Sequence, residues 1–279
     1  MNAPPTEKKK RKAGRNLPAA VAVGVFLGAL ALACIFVAPW GWLLLVTPAS
    51  VIAVTELRRG FREGGHSVPI VPVVLGALIM SPAAYFGGPA AMIVTFGLSA
   101  LAVVVWRALA GVPRTAIRDM GSGVFMLAYA PLLAAFSALL AAQPDGRFRV
   151  IAFVLITVFS DIGGYAAGVT MGKHPMSPSV SPNKSWEGFA GSVLTCAVVG
   201  SVSVMLMLGA PWWAGAVLGV VLATLATLGD LTESMLKRDL GIKDFGTMLP
   251  GHGGLMDRMD SLVVCAPAAW ILLTVMLGA

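Results

Sequence analysis

The residues best suited to chemistry are concentrated in one polar segment, residues 234–260, which lies between two long apolar runs. This polar segment also contains His252 within a glycine-rich stretch, where the bare backbone leaves room for a ligand. Its basic and acidic residues are Lys237, Arg238, Lys243, Arg258, Asp239, Asp244, Asp257 and Asp260. So many charges of both signs between apolar runs indicate a binding site rather than a simple connection.

Two pairs of carboxylates in and next to the polar segment have helical spacing. Asp230 and Glu233 are three residues apart, as are Asp257 and Asp260, so each pair lies on one face of a helix. Carboxylate oxygens suit Mg²⁺, which proteins usually hold with one or two carboxylates plus substrate phosphates. These pairs therefore favour a metal–phosphate site, with the interleaved basic side chains contacting phosphate. A loop held by salt bridges alone is the alternative.

A further acidic candidate, Asp161, lies within an apolar run in the sequence Ser-Asp-Ile-Gly-Gly-Tyr. An ionisable side chain inside a membrane helix costs at least about 2.5 kcal/mol on insertion scales and is a functional candidate by default. The alternative for Asp161 is an ion pair that serves packing only.

A third cluster joins Lys173 to Ser181, Lys184 and Ser185. Lys184 and Ser185 match the end of a Walker A phosphate loop, but the glycines which that motif requires upstream are absent. What remains is a lysine with hydroxyls at the start of a predicted helix, where backbone N–H groups and the helix dipole favour an anion. The alternative is an ordinary helix start whose lysine only orients the protein in the membrane.

The elements that must position these residues are predicted to be membrane helices. The chain is 57% hydrophobic and only 12% charged, whereas soluble domains are typically about 25% charged. At about 20 apolar residues per crossing, we predict an all-α polytopic membrane protein with about nine transmembrane helices. The candidate spans are 17–38, 41–57, 68–86, 89–107, 121–142, 148–170, 188–209, 211–229 and 261–278.

The distribution of positive charge predicts the orientation. With the N-terminus in the cytoplasm, eighteen of the 20 Lys and Arg residues fall on the inner side of these spans, and only Arg147 and Arg149 fall outside. We expect residues 1–16 to be a disordered basic cytoplasmic tail that orients the chain and binds no nucleic acid. Residues 17–145 are then N-terminal transmembrane helices, and residues 146–279 form a C-terminal transmembrane catalytic region that opens to the cytoplasm.

The polar segment resembles the signature of phosphatidate cytidylyltransferases, also called CDP-diacylglycerol synthases. It fills every fixed position of S-x-x-K-R-x4-K-D-x-G-x2-L-P-x-H-G-G-x2-D-R-x-D. The upstream segments S-D-x-x-x-Y and S-P-x-K-S-x-E-G are also similar to the family, so the resemblance covers roughly residues 150–265. Two positions depart from it: Gly164 stands where alanine is usual, and Val169 stands where a basic residue is common.

This resemblance implies that CTP condenses with phosphatidic acid to give CDP-diacylglycerol and pyrophosphate, with Mg²⁺ and room for a second cation. It implies a homodimer in the inner cell membrane, with membrane lipid as substrate. The catalytic residues would be Asp230, Asp257, Lys184 and Asp161. The metal ligands would be Asp230, Asp257, Asp260 and Asp161. The substrate-binding residues would be Ser181, Ser185, Lys173, Arg238, Lys243, His252 and Arg258.

Three other functions fit parts of the pattern. A cation-coupled transporter would use Asp161 and Asp230 as relay groups, although such proteins usually show internal repeats and midplane sites. A CDP-alcohol phosphotransferase would need a D-G-x2-A-R signature, which this sequence lacks. A CTP-dependent prenol kinase differs in its product, because it releases CDP instead of pyrophosphate.

Overall fold

The computed structural model describes residues 17–111, 114–246, 248 and 253–278. Two predictions, the disordered tail 1–16 and the role of His252, lie outside these residues. The helices are α1 (Leu17–Val37), α2 (Leu43–Glu63), α3 (Ile70–Leu109), α4 (Ala116–Leu127), α5 (Leu133–Ala141), α6 (Gly146–Met171), α7 (Trp186–Leu208), α8 (Trp212–Asp239) and α9 (Met256–Leu277). The strands β1 (Pro175–Ser177) and β2 (Ser181–Ser185) form one small antiparallel hairpin between α6 and α7.

Within the described residues, six helices are long and apolar enough to cross a membrane. They are α3, the continuous helix Ala116–Ala141, α6, α7, α8 and α9. A multi-pass membrane protein built almost entirely of helices is therefore confirmed, whereas the count of nine spans and the orientation stay predictions. The second predicted span corresponds to α2, which is 21 residues long and ends in a charged stretch.

The 40-residue α3 folds back on itself. Gly88 has a φ of 70°, a left-handed conformation that glycine adopts without strain. A Cβ atom at Gly76 would lie 2.7 Å from Oγ of Ser99, although 23 residues of straight helix would separate the two by about 35 Å. The halves of α3 before and after Gly88 therefore lie side by side, which agrees with the two predicted spans 68–86 and 89–107.

Helices α4 and α5 are joined by a single π-helical turn, Ala128–Leu132. The turn contains Pro131, whose ring removes a backbone donor and disturbs an α-helical ladder. Together the three pieces form one helix, Ala116–Ala141. Tyr129, in the π turn, is buried.

Glycines let α6, α7, α8 and α9 approach each other closely, as small residues do in membrane bundles. A Cβ at Gly200 of α7 would lie 2.2 Å from the carbonyl oxygen of Gly215 on α8, and one at Gly219 would lie 2.1 Å from that of Cys196. A Cβ at Gly229 of α8 would lie 2.9 Å from the carbonyl oxygen of Asp260 on α9. This last contact brings the acidic parts of α8 and α9 together.

The β1–β2 hairpin is anchored at both ends. At its tip, Nε of Arg238 donates a hydrogen bond of 2.6 Å to the carbonyl oxygen of Val180. At its base, the Glu187 carboxylate accepts from the backbone N–H groups of Lys173, at 3.1 Å, and His174, at 3.2 Å. The hairpin is thereby held over the ends of α6 and α8.

Candidate active site

A cavity of about 500 Å³ lies where α6, the β1–β2 hairpin, α7, α8 and α9 meet. Six charged residues line it: Asp161, Asp230, Asp257, Asp260, Lys184 and Arg258. The four predicted metal ligands therefore line one cavity, although they come from three helices. The same lining contains two basic residues, Lys184 and Arg258.

The carboxylates of Asp230 on α8 and Asp260 on α9 lie next to each other. Two carboxylates in contact need a shared proton or a cation between them, because two negative charges repel at this range. Asp230 also forms an ion pair with Nζ of Lys184. The backbone of Asp260 reaches this position because Gly229 has no side chain.

Asp257 lies in the first turn of α9 and is held by three donors. Its Oδ2 accepts from the backbone N–H of Gly254 at 2.7 Å, and its Oδ1 accepts from that of Phe245 at 3.5 Å. Oδ1 also lies 3.2 Å from Nζ of Lys237, which pairs at 3.2 Å with Oε2 of Glu233 as well. These contacts fix the orientation of the Asp257 side chain toward the cavity.

Glu233 belongs to the same acidic cluster, although it was not among the predicted site residues. The residue is only 3% exposed, and its carboxylate lies next to those of Asp257 and Asp260. Its Oε1 atom is buried and has no hydrogen-bond partner among the described residues. The spacing of three residues from Asp230 was the sequence signal for this position.

Asp161 and Arg258 complete the charged lining on the α6 side. Asp161 is exposed in the open cavity and lies within electrostatic range of Lys184, Arg258 and Asp230. Helix α6 therefore brings its acidic residue to the basic ones, as a site for a charged ligand requires.

The predicted helix start after Lys184 is confirmed. Ser185 caps α7, and its Oγ accepts from the backbone N–H of Gly188 at 3.1 Å. Ser181 and Ser185 both line the cavity, so hydroxyls and the N-terminal end of α7 face it. The end of a helix that carries free N–H groups favours an anion.

Three predicted substrate-binding residues lie outside the cavity lining: Lys173, Arg238 and Lys243. Lys173 is exposed beside the start of the hairpin, and Lys243 is exposed in the loop after α8. Arg238 contacts the hairpin backbone at Val180. His252 cannot be compared, since it lies outside the described residues.

The two departures from the family signature have different surroundings. Gly164 lines the cavity, and a Cβ there would meet its nearest neighbours at 3.6 Å, an ordinary contact distance. The usual alanine would therefore fit. Val169 is 67% exposed and is not part of the lining, so the structure gives no sign that a basic residue is needed there for the cavity.

The donor set of the cavity fits a hard cation, though not as a complete site. Among the described residues, no three His, Cys, Asp or Glu side chains group closely enough to hold a metal alone. The paired oxygens of Asp230 and Asp260, with Asp257 nearby, match the mode in which one or two carboxylates hold Mg²⁺ and phosphates and water complete the coordination.

The chain is similar to known proteins along nearly its whole length. The profile of the cytidylyltransferase family matches residues 18–276. A phosphatidate cytidylyltransferase of Mycobacterium leprae is 41% identical over 284 residues, which cover 96% of this chain and 91% of that protein. One of Mycobacterium tuberculosis is 38% identical, covering 98% of this chain and 86% of its own. One of Brucella suis is 36% identical over 177 residues, covering 63% and 62%.

Proposed function

This chain belongs to the cytidylyltransferase family, and from that premise we propose that it is a phosphatidate cytidylyltransferase. It transfers a cytidylyl group from CTP to phosphatidic acid, which yields CDP-diacylglycerol and pyrophosphate. The observation that carries this proposal is the cavity in which carboxylates of α6, α8 and α9 meet Lys184 and Arg258. The names of the relatives, two of which match nearly the whole chain, support the same activity.

The reaction needs charge neutralisation more than proton transfer. The second pKa of a phosphate monoester is near 6, so the lipid headgroup is largely a dianion at neutral pH. One of its oxygens forms a bond to the α-phosphorus of CTP, while the bond from that phosphorus to the bridging oxygen of the β-phosphate breaks. The electron pair leaves with pyrophosphate, and no general base is required. The barrier arises from bringing two polyanions together.

The residues of the cavity offset the repulsion between CTP and the lipid phosphate. Lys184 and Arg258 are the basic residues of the lining, and they contact phosphate oxygens of the two substrates. Ser181, Ser185 and the N-terminal end of α7 orient a phosphate by hydrogen bonds. Asp230, Asp257, Asp260 and Asp161 would hold Mg²⁺, with room for a second cation. Bound there, Mg²⁺ supplies neutralisation of charge between the two reactants.

The lipid substrate enters from the side, with its acyl chains in the bilayer and its headgroup in the cavity. Tyr165 supports this route, because it lines the cavity and is 76% exposed on the membrane helix α6. We place the protein in the inner cell membrane with the cavity on the cytoplasmic face, where CTP is available, and we propose a homodimer.

The decisive experiment supplies purified protein with radiolabelled CTP and phosphatidic acid, with and without Mg²⁺. We expect CDP-diacylglycerol and pyrophosphate in equal amounts, no product after chelation of divalent ions, and none from an Asp230→Asn variant. In a parallel reaction with a prenol in place of phosphatidic acid, release of CDP with a phosphorylated prenol would identify the kinase instead. Ion flux in sealed proteoliposomes without nucleotide, and without lipid product, would identify a transporter.

A further inference from the structure

Glu56 lies on α2, in the part of the chain to which the sequence assigns no site residue, yet it contacts the polar segment. Its side chain is buried, with 8% of the residue exposed. Oε1 accepts from the backbone N–H of Leu255 at 3.0 Å, and Oε2 accepts from that of Met256 at 2.8 Å. Both oxygens of the carboxylate are therefore bonded to a segment about 200 residues further along the chain.

The two N–H groups belong to the start of α9, which begins at Met256. The first N–H groups of a helix have no partner within the helix. The residue before α9, Leu255, provides no side-chain cap. Glu56 fills this role from α2, and its negative charge is also favourable at the positive end of the helix dipole.

Two glycines of the polar segment lie directly against the Glu56 carboxylate. A Cβ at Gly246 would lie 2.1 Å from Oε1 of Glu56, and one at Gly254 would lie 2.6 Å from Oε2. Real Cβ atoms do not approach other atoms so closely, so a side chain at either position would displace the Glu56 carboxylate. At these positions the absence of a side chain makes room for Glu56.

Gly254 links the Glu56 carboxylate to the cavity through Asp257. Gly254, which touches Glu56, donates its N–H to Oδ2 of Asp257 at 2.7 Å. Asp257 and Asp260 occupy the first turns of α9 and line the cavity, whereas Glu56 does not. A shift in the start of α9 would therefore move both aspartates relative to Asp230 on α8.

We propose that Glu56 is a positioning residue of the active site, whose carboxylate holds the start of α9 so that Asp257 and Asp260 line the cavity together with Asp230. The kinetic part of its test rests on the proposed function, whereas the structural part does not. Because Glu56 acts through the aspartates, its loss lowers turnover and raises the Mg²⁺ requirement more than it raises the KM for CTP.

The test compares Glu56→Gln with the matched control Glu63→Gln on the same helix, whose side chain is about half exposed and pairs with Arg59. Hydrogen–deuterium exchange of the purified proteins in detergent reports on the amides of Leu255 and Met256. We expect about tenfold faster exchange there in Glu56→Gln, since a hydrogen bond to a charged acceptor is lost, and unchanged exchange in Glu63→Gln. Unchanged exchange in both variants would overturn the proposal, whether or not the protein uses CTP.

Kinetics provide the second measurement. We expect kcat of Glu56→Gln to fall about tenfold or more, with the Mg²⁺ concentration for half-maximal activity raised and partial recovery at high Mg²⁺. If kcat falls equally at every Mg²⁺ concentration and less of the protein is folded, Glu56 only stabilises the fold. That result would refute its positioning role. If Glu56→Gln does not fold, Gly246→Ala displaces the carboxylate without removing its charge, and it should give the same Mg²⁺ dependence.

Discussion

At the scale of single residues, the charges of the cavity are held by specific partners. Charged groups in apolar surroundings are costly unless they are paired or hydrogen-bonded. Asp230 pairs with Lys184, and Asp257 pairs with Lys237 and accepts two backbone N–H groups. Asp257 is thus oriented before any ligand binds, so a substitution that removes only its charge tests the role of that charge.

We predict that Asp257→Asn abolishes most activity without unfolding the protein. The amide keeps the size of the side chain and an oxygen to accept from Gly254, but it removes the negative charge available to a cation. Loss of one electrostatic group in an active site typically costs about 10²–10³ in kcat. CTP-dependent formation of CDP-diacylglycerol measures the loss, and the elution volume in detergent checks the fold.

The control for this substitution is Asp239→Asn. Asp239 is exposed at the end of α8 and is not part of the cavity lining, so this variant loses the same charge without touching the cavity. Turnover of Asp257→Asn close to that of Asp239→Asn would remove Asp257 from the proposed metal site.

At the scale of elements, α6 packs against α7 at two neighbouring glycines, Gly163 and Gly164, which differ in the space available for a side chain. A Cβ at Gly163 would lie 2.4 Å from Oγ1 of Thr195 and 3.0 Å from the carbonyl oxygen of Gly191. At Gly164 the nearest atoms are 3.6 Å away. Since α6 carries Asp161 and α7 follows Lys184, this helix pair sets the distance between the two sides of the cavity.

We predict that Gly163→Ala lowers thermal stability and that Gly164→Ala does not. Overpacking at Gly163 forces the helices apart at a cost of about 1–3 kcal/mol, whereas alanine at Gly164 restricts the unfolded chain and meets no close atom. Thermal unfolding in detergent, followed by tryptophan fluorescence, measures both. A Gly163→Ala midpoint equal to or above that of Gly164→Ala would contradict the packing described for α6 and α7.

Element ends explain why one signature residue lies away from the cavity. The resemblance to the family signature placed Arg238 with the substrate-binding residues, but the end of α8 directs it to the carbonyl oxygen of Val180. Arg238 thereby anchors the hairpin that presents Ser181 and Lys184. A motif tells which residue types are present, whereas the helix end decides which neighbour each side chain reaches.

At the scale of the whole molecule, the two ends of the bundle differ in charge. The loop before α6 contains Gln143, and the loop after α8 contains Lys243. Because α6 runs from the first loop to the hairpin that Arg238 of α8 contacts, the two loops lie at opposite ends of the bundle. The excess of Lys and Arg on the side of Lys243 predicts that this side is cytoplasmic.

We predict opposite labelling, by a membrane-impermeant maleimide in intact cells, of two variants that each carry one introduced cysteine. In a Cys34→Ser background, Gln143→Cys should react directly, and Lys243→Cys should react only after permeabilisation. Cys196 and Cys265 are buried and provide little background, which the Cys34→Ser protein itself measures. Direct labelling of Lys243→Cys alone would invert the orientation and move the cavity to the other face.

Much of this protein follows from sequence alone. Scarcity of charge predicts a polytopic membrane protein. Helices are expected because a chain that crosses the bilayer must satisfy its own backbone hydrogen bonds. The polar residues Asp161, Lys184, Asp230, Asp257 and Asp260 stand out for the same reason, and all five line the cavity. The reversal between the halves of α3 was also predictable, since glycine and proline interrupt an apolar run long enough for two crossings.

The tertiary structure alone decided which distant residues touch. Glu56 contacts the start of α9 about 200 residues away, Arg238 contacts Val180, and Glu233 joins Asp257 and Asp260. Spacing along a helix reports neighbours within about one turn, whereas these contacts depend on how separate helices pack. Helical periodicity and charge are local properties of the chain, but the partner of a buried carboxylate is a property of the assembled bundle.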